Sequence, residues 1–362
     1  MSKVRVGVVG VGHLGKEHAR ILSTLEGIEL AGVADPTRAQ AEAIALRHNT
    51  KPYASHTDLI GKVDAAVIAA PTFLHHQVAR DLLNAGVSLL VEKPLARELS
   101  ECRELETIAR EKGLVLQVGH IERFNPAYEA FQQLPLVPRY IVAKRTSSFP
   151  GRSLDVGAVL DLMIHDLDLV LDMVQDVAVD VEAFGASLMG GCEDMAQVRL
   201  RFSRGTIADL MASRVHPEPC RTMDIWGAEG YAGIDFAKRT LKLHQPGETI
   251  RAGVEARKMD HASMAQFRQE LFSRHIETKE IVCEPCDQLT RELVDFRDGV
   301  MGLKEVRVTG EQGVKAVALA TRILESIERH AWNANTSGPA GPNKLPAPKG
   351  KLFTSRSREA AA

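Results

Sequence analysis

The sequence has no marked excess of charge and no long apolar run, and each absence narrows the range of functions. Its 362 residues include 45 Lys and Arg against 47 Asp and Glu, which gives a formal net charge of −2. That balance removes the usual electrostatic basis for binding nucleic acid or an anionic membrane surface. No apolar run approaches the roughly 20 residues that a membrane-spanning helix needs. We therefore expect neither a nucleic acid partner nor a membrane partner.

Cysteine is scarce and scattered. The chain has five cysteines, at Cys102, Cys192, Cys220, Cys283 and Cys286. An odd, dispersed set in a chain of this size is typical of reduced thiols. The last two form a lone C-x-x-C, which without a second pair does not make a zinc site. Glycines interrupt the apolar N-terminal stretch and no A-x-A cleavage pattern follows, so we interpret it as a strand and turn rather than a signal peptide. We predict a cytoplasmic protein without a metal.

The first 120 residues alternate two patterns. Short, β-rich apolar runs predict strands at Val4–Val9, Ile28–Ala34, Ala65–Ala69, Ser88–Val91 and Val115–Val118. Helical patterns lie between them, at Lys16–Leu25, Arg38–Arg47, His75–Ala85 and Ser100–Glu111. Strands without polar alternation are buried on both faces, as in a parallel sheet covered by helices. The alternation predicts an α/β fold, with a doubly wound Rossmann domain over residues 1–120.

A second pattern begins after residue 120. Longer strand-like segments follow, at Arg139–Ser147, Ala196–Phe202, Thr206–Arg214, Arg221–Trp226 and Tyr231–Phe236. Tight polar links between them indicate antiparallel hairpins. Helices are predicted over Gly157–Gln175 and Glu311–His330. Residues 121–331 are therefore expected to form an α+β domain with an open, mainly antiparallel sheet, and residues 332–362 a disordered tail.

The N-terminal strand leads into a glycine motif. Gly10, Gly12 and Gly15 form G-x-G-x-x-G, with His13 and Leu14 in the loop, between a buried strand and a helix. Such a loop brings the backbone close to a pyrophosphate and directs a helix N-terminus at it. We predict that these five residues bind a dinucleotide. The alternative is a glycine-rich turn with no ligand.

An acidic residue follows about 20 residues later, at the end of the second strand. A carboxylate at Asp35 is placed to bond both ribose hydroxyls of NAD and would repel a 2′-phosphate, so NAD is favoured over NADP. Arg38 lies close enough in sequence to weaken that preference. The alternative is a solvated aspartate in a turn.

Two further strand ends carry candidate residues. Ligands of doubly wound sheets bind beyond the carboxyl ends of the strands. Pro71, Thr72 and His75 follow the third clear strand and are predicted to line the cofactor, although His75 and His76 are equally compatible with an exposed helix start. Glu92 and Lys93 end the next apolar strand and are likewise predicted to bind the cofactor. Charged groups there are costly unless paired or in a cleft, and the alternative for Lys93 is a side chain that reaches solvent.

The helix predicted over Gly157–Gln175 carries a polar stripe on a mostly apolar surface. Its members follow helical spacing and share one face: Asp161, His165, Asp168 and Asp172. A helix that is apolar around most of its circumference is buried, so the stripe requires a polar neighbour such as a cleft. The alternatives are a solvated face, a buried histidine capped by the aspartates, or a metal site.

With these motifs, the sequence resembles the glucose–fructose oxidoreductase, inositol dehydrogenase and rhizopine-catabolism superfamily over about residues 3–331. The resemblance implies a two-domain NAD(P)-dependent enzyme, with the E-K-P lysine and a helix Asp and His as the catalytic set. These match Lys93, Asp161 and His165. It also implies that the peptide before Pro94 is often cis. Thr72 stands where many relatives have asparagine.

The segments from Val118 to Pro126 and from Asp161 to Asp168 resemble the branch of UDP-N-acetylglucosamine 3-dehydrogenases. This implies a UDP-sugar substrate oxidised at its 3-hydroxyl, with His165 as general base, Lys93 stabilising the alkoxide, and Asp161 orienting His165 or bonding a hydroxyl. We expect five residues to bind substrate: Arg123, Asn125, Arg152, Asp168 and Arg214. Alternatives are a polyol or free-sugar dehydrogenase and a non-catalytic NAD-sensing regulator. Relatives imply a homodimer or homotetramer formed through the C-terminal sheet.

Overall fold

The computed structural model describes residues 3–149, 151, 155–332 and 338–347. Its first sheet has six parallel strands in the order β3-β2-β1-β4-β5-β6. The strands are β1 (Val4–Val9), β2 (Ile28–Ala34), β3 (Pro52–Tyr53), β4 (Ala65–Ile68), β5 (Ser88–Glu92) and β6 (Leu116–Gly119). The chain reverses direction across the sheet between β1 and β4, which places the carboxyl ends of these strands at a topological switch point. The predicted α/β Rossmann sheet is confirmed.

Helices cover both faces of this sheet. They are α1 (Gly15–Leu22), α2 (Arg38–Arg47), α3 (Thr72–Asn84) and α4 (Leu99–Lys112). Successive residues of β4 show why both faces must be covered, since Ala65 and Val67 lie in one apolar cluster while Ala66 and Ile68 lie in the other. The α4 helix ends at Gly113, which adopts the left-handed conformation common at helix ends.

The second sheet has eight strands, in the order β14-β13-β12-β11-β7-β10-β9-β8. They are β7 (Tyr140–Thr146), β8 (Ala178–Ala186), β9 (Met195–Phe202), β10 (Ile207–Ser213), β11 (Cys220–Gly227), β12 (Gly230–Asp235), β13 (Thr240–Pro246) and β14 (Ile276–Val282). Only β7 and β10 pair in parallel, and the remaining pairs are antiparallel. The predicted open, mainly antiparallel sheet is therefore confirmed, and β8, β13 and β14 extend it beyond the predicted strands.

Six helices accompany the second sheet. They are α5 (Pro126–Gln132), α6 (Ile164–Val174), α7 (Glu248–Arg251), α8 (His261–Glu270), α9 (Gln288–Val300) and α10 (Gly310–Arg329). A π-helical turn, Val159–Met163, leads directly into α6. Such turns widen the helix locally and change which side chains lie above one another. Thr309 caps α10 through a reciprocal pair of hydrogen bonds with Gln312.

Helix α9 returns to the first sheet. Leu293 and Phe296 are buried in the same apolar cluster as Val6, Leu22 and Ile28. The second half of the chain therefore supplies part of the core of the first, and a boundary at residue 120 does not separate the two cores. We keep the predicted division at 120 and 331 as a description of the two sheets.

The end of the described chain packs against the second sheet. Residues 338–347 include a β-bridge from Ala340 to Ala331, and the Trp332 indole donates to the Gly341 carbonyl at 2.9 Å. The Ser187 N–H donates to Pro342. This differs from the predicted disorder for these ten residues, because their backbone groups find partners on the protein. No helix in the described ranges is long and apolar enough to span a membrane.

Candidate active site

A cleft of about 690 Å³ lies where the carboxyl ends of the first sheet's strands face the second sheet and α6. The first sheet contributes residues that follow β4, β5 and β6, whereas the second contributes residues from β7 and β11. Three members of the predicted catalytic set line it: Lys93, Asp161 and His165. The cleft is of the size and placement expected for a ligand site in an open α/β sheet.

The glycine loop is shaped for close approach. Gly10 has a φ of +80°, and a Cβ there would lie 2.8 Å from the backbone of Ala70. A Cβ on Gly15 would lie 1.8 Å from the Gly10 carbonyl oxygen. At Gly12, by contrast, a Cβ would meet only the Gln40 amide at 3.9 Å, so its backbone faces open space. The loop thus has the cradle that a pyrophosphate requires.

Helix α1 begins at this loop without a side-chain cap. Its N-cap residue, Leu14, provides no side-chain acceptor for the first-turn N–H groups. The Lys16 and Glu17 N–H groups donate to the Gly12 and Leu14 carbonyls, so an anion here would meet chiefly the positive end of the helix dipole. Leu14 also lines the cleft, and His13 is exposed beside it. The loop residues fit the diphosphate of a dinucleotide.

Asp35 is buried, so the interpretation as a solvated turn aspartate is wrong. Its carboxylate accepts the N–H of Val11 at 3.0 Å and the N–H of Thr37 at 2.8 Å. It therefore holds a negative charge against the glycine loop, where a 2′-phosphate would be repelled. Arg38 pairs with Glu42 at the surface. This arrangement fits NAD better than NADP.

His75 lies inside the protein rather than at an exposed helix start. Its Nδ1 lies 2.9 Å from the Pro94 carbonyl, and its Nε2 lies 2.8 Å from the Ala70 carbonyl. Burial lowers the pKa of this imidazole. It lines the cleft with Pro71 and Thr72, and it connects the strand ends of β4 and β5. His76 instead pairs with Glu104 near the surface.

Lys93 extends from the end of β5 to the π-helical turn. Its ammonium donates to the Asp161 carboxylate at 2.9 Å and to the Asp161 carbonyl at 2.6 Å. The Lys93–Pro94 peptide is cis, as the resemblance implied. The interpretation of Lys93 as a solvent-reaching side chain is therefore wrong. An ammonium held at two points in a cleft is positioned to bond a substrate oxygen.

His165 lies one turn further along and is half-buried. Its pKa is held well below 6.5, first by burial and then by the nearby charges of Lys93 and Arg145. The ring is therefore neutral at neutral pH and can accept a proton. The structure shows no hydrogen bond from Asp161 to His165 in the described chain. The expectation that Asp161 orients His165 is corrected, because its carboxylate instead binds Lys93 across the cleft.

The polar stripe divides between two environments. Asp168 and Asp172 face away from the cleft and bind Arg123, which pairs bidentately with Asp168 at 2.6 and 3.0 Å and contacts Asp172 at 2.5 Å. The guanidinium is only 5% exposed. The expectation that Arg123 and Asp168 bind substrate is corrected, since they satisfy each other inside the protein. No group of three His, Cys, Asp or Glu side chains in the described ranges is arranged to hold a metal.

The other predicted substrate ligands also lie elsewhere. Asn125 is buried and caps α5, with its amide donating to Glu122 and to the Phe236 carbonyl. Arg214 is buried against Asp194 and the Val156 carbonyl, both at 2.8 Å. Neither residue lines the cleft. Arg152, the remaining candidate, lies outside the described residues.

Two arginines that sequence reasoning missed lie opposite each other in the cleft wall. Arg145 on β7 and Arg221 on β11 are register partners. Arg145 is buried and held by Asp166 at 2.7 Å and Glu122 at 2.8 Å. Arg221 is 57% exposed and has only a 3.9 Å contact with Glu122. Arg221 is thus a cleft-lining cation with donors left for a ligand.

Behind the cofactor loop lies a buried acidic pair. Glu92 lines the cleft, but its carboxylate binds His18 at 2.7 Å, so its predicted contact with the cofactor depends on the second oxygen. Glu292 on α9 is fully buried nearby, and one of its oxygens has no partner in the described structure. Burial, together with the charges of Glu92 and Asp295, raises the pKa of Glu292 well above 4.5.

This raised pKa predicts a pH-dependent effect of Glu292→Gln. The folded protein keeps a proton on Glu292 that the unfolded chain releases above about pH 4.5, so this residue lowers stability as pH rises. Glutamine holds no such proton. The difference in melting temperature, variant minus parent, is expected to increase by several degrees between pH 4.5 and pH 8, as measured by calorimetry. A constant difference across that range would show that Glu292 ionises normally.

Comparison with known proteins agrees with this geometry. The family model described as "Oxidoreductase family, NAD-binding Rossmann fold" matches residues 4–120, and the GFO/IDH/MocA C-terminal domain matches residues 133–232. The UDP-N-acetylglucosamine 3-dehydrogenase of Acidithiobacillus ferrooxidans is 34% identical over 329 residues, which is 91% of this chain and 98% of the relative.

Solved structures show the same fold. That relative's crystal structure superposes with a TM-score of 0.79 at 33% identity, covering 91% of this chain and 99% of the other. The WlbA dehydrogenase from Bordetella pertussis, solved with NADH and UDP-GlcNAcA, has a TM-score of 0.70 at 21% identity, with 90% and 96% coverage. The predictions of a dehydrogenase and of NAD as cofactor are confirmed. The chain belongs to the GFO/IDH/MocA family of NAD-binding oxidoreductases.

Proposed function

We propose that this protein is a nucleotide-sugar dehydrogenase that oxidises the 3-hydroxyl of UDP-N-acetylglucosamine to the 3-keto sugar. The observation that carries the proposal is the convergence of Lys93, Asp161 and His165 on one cleft beside the glycine loop. The substrate is inferred from the Acidithiobacillus relative, whose length this chain matches almost completely.

The side chains divide the proton chemistry among them. Oxidation removes a hydride from the sugar carbon and a proton from its hydroxyl, and bound NAD⁺ supplies the hydride acceptor. His165 takes the proton, since its lowered pKa keeps the ring neutral. The Lys93 ammonium bonds the same oxygen and stabilises its developing negative charge. Asp161 holds Lys93 in place through the 2.9 Å ion pair.

Arg221 is the residue that we propose for binding the substrate diphosphate. This guanidinium lies in the cleft wall, is largely exposed and is only weakly engaged by Glu122. Arginine binds phosphate through paired, charge-assisted hydrogen bonds. Arg221 takes the role predicted for Arg123 and Arg214, because the donors of those two arginines are bound by buried carboxylates.

Arg221→Ala is expected to raise KM for the UDP-sugar by about 10–100-fold while leaving kcat within a few fold, because a charge-assisted contact contributes about 1.5–3 kcal/mol. Initial-rate kinetics and calorimetric titration with UDP measure the effect. The matched control is Arg199→Ala, which removes an arginine of similar exposure, 58%, from outside the cleft. Equal UDP affinity in both variants would contradict the assignment.

Substrate identity is tested by incubating the protein with NAD⁺ and a panel of UDP-sugars, free sugars and inositols, while NADH absorbance is followed. The proposal predicts NADH formation with UDP-N-acetylglucosamine and UDP binding without turnover. Turnover of inositol or a free sugar with no UDP binding would instead identify a polyol or sugar dehydrogenase. NAD binding with no turnover of any alcohol would identify a regulator.

A further inference from the structure

His120 is a buried histidine beside the reactive residues that has no role in the mechanism above. It directly follows β6, and its ring is 1% exposed. Both ring nitrogens are buried, and neither has a hydrogen-bond partner in the described structure. Among the described side chains with unpartnered buried polar atoms, His120 is the one in which two atoms lack a partner. An unpaired buried polar atom costs about 1–3 kcal/mol, so this arrangement calls for an explanation.

The neighbour of this ring is the proposed base. The His120 and His165 rings lie edge to face, with centroids 6.3 Å apart and an interplanar angle of 86°. The Nδ1 of His165 is itself buried without a partner among the described residues. Since His165 lines the cleft, its Nε2 is the nitrogen available to substrate. Catalytic histidines normally have a group behind them that fixes which nitrogen carries the proton.

The charged groups around His120 are already engaged. Glu92 binds His18, Lys93 binds Asp161, and Asp168 binds Arg123. These are the charges that reach His120 from β5, from the turn after β6 and from α6. None of them contacts the buried edge of His165 by hydrogen bond in the described structure. His120 is therefore the polar neighbour left to fill the orienting position.

The backbone holds His120 firmly in that place. Its N–H donates to the Val118 carbonyl at 2.8 Å, and its own carbonyl accepts from Arg123 at 3.0 Å. Arg123 is in turn clamped by Asp168 on α6, the helix that carries His165. The two rings thus stand on elements tied together by a buried ion pair.

We propose that His120 is a positioning residue that fixes the ring orientation and the tautomer of His165. The His120 ring packs edge to face against His165 and limits its rotation, and the imidazole dipole, rather than a hydrogen bond, favours one tautomer of His165. His165 then keeps its proton on Nδ1 and presents an unprotonated Nε2 to the sugar hydroxyl. The expected effect on catalysis rests on the proposed function. The expected effect on the tautomer of His165 rests on the ring geometry alone.

The test compares His120→Phe, which keeps an aromatic ring but removes both nitrogens, with His120→Gln, which restores a polar atom. We expect His120→Phe to lower kcat by about 10–100-fold with KM for the sugar and affinity for NAD unchanged, and His120→Gln to recover part of the loss. The control is His275→Phe, since His275 is also buried, stacks on Phe267 and has an unpartnered Nδ1, but lies outside the cleft.

A second readout needs no substrate. Nitrogen NMR shifts of His165, assigned through the loss of its signals in His165→Asn, report its tautomer. The proposal predicts a single Nδ1–H tautomer in the parent and a mixture in His120→Phe. An unchanged tautomer together with unchanged kcat would overturn the role of His120 while leaving the proposed function intact. Absence of sugar turnover in the parent, with the tautomer change present, would instead overturn the substrate and not the positioning.

Discussion

Replacing Lys93 by alanine is expected to lower kcat for the proposed oxidation by about 10²–10⁴-fold, the range typical of a positioned acid–base group. His165→Asn is expected to cause a loss of similar size. In the proposed mechanism Lys93 and His165, which both line the cleft, act on one oxygen, the first stabilising its charge and the second removing its proton. Because the two act as a unit, the double variant should be little worse than either single variant.

Stopped-flow measurement of NADH formation distinguishes this chemical step from cofactor binding. The dissociation constant for NAD, measured by fluorescence, is expected to change little in both variants. Lys144→Ala is the matched control, since Lys144 neighbours Arg145 on β7 but does not line the cleft. Near-normal single-turnover rates in Lys93→Ala and His165→Asn would remove both residues from the mechanism.

Replacing Arg123 by methionine is expected to destabilise the fold rather than weaken substrate binding. The substitution leaves the buried Asp168 and the half-buried Asp172 without their cation, and breaking a buried pair in this way costs about 3–5 kcal/mol. At roughly 2–4 °C per kcal/mol for a domain of this size, the melting temperature should fall by about 6–20 °C. KM for the sugar, measured well below that temperature, should stay near the parent value.

The matched control is Arg199→Met, which breaks the ion pair with Asp209 at an exposed arginine. Such a surface pair is screened by solvent and contributes little to stability, so the melting temperature should move by only a few degrees. A large rise in KM with little loss of stability in Arg123→Met would restore the interpretation of Arg123 as a substrate ligand.

The first sheet was predictable because its strands carry a strong signal. Five of its six strands, β1, β2, β4, β5 and β6, are short, mostly apolar runs, and their observed limits lie within about a residue of those predicted from pattern. Strand β14 was missed for the opposite reason. Its segment, Ile276–Val282, has three charged residues among seven and is mostly exposed, so no apolar face marks it. Pairing with β13 rather than burial defines it as a strand.

The candidate site was only partly predictable. Lys93, Asp161 and His165 were found because each stands in a short motif that the family resemblance marks. Arg221 was missed because its position in the cleft wall depends on pairing opposite Arg145. That register joins strands about 75 residues apart in sequence. No local pattern encodes that register.

Arg123 was misassigned because a charged residue within a site motif can form a buried ion pair instead of binding a ligand. Asp168 and Asp172 are four residues apart on α6, a spacing that lets both reach one guanidinium. The same spacing had suggested a polar stripe facing a cleft. The π-helical turn before α6 adds to the difference, since it changes the angle between Asp161 and the residues that follow.

The most direct test of the account is the fate of the hydrogen on the sugar's third carbon. UDP-N-acetylglucosamine carrying deuterium at C3 is incubated with the protein and NAD⁺, and the mass of the NADH formed is measured. The account predicts NADH heavier by one deuterium, formed about 10²–10⁴-fold more slowly by the Lys93→Ala, His165→Asn double variant. Unlabelled NADH, or labelled NADH formed equally well by the double variant, would contradict it.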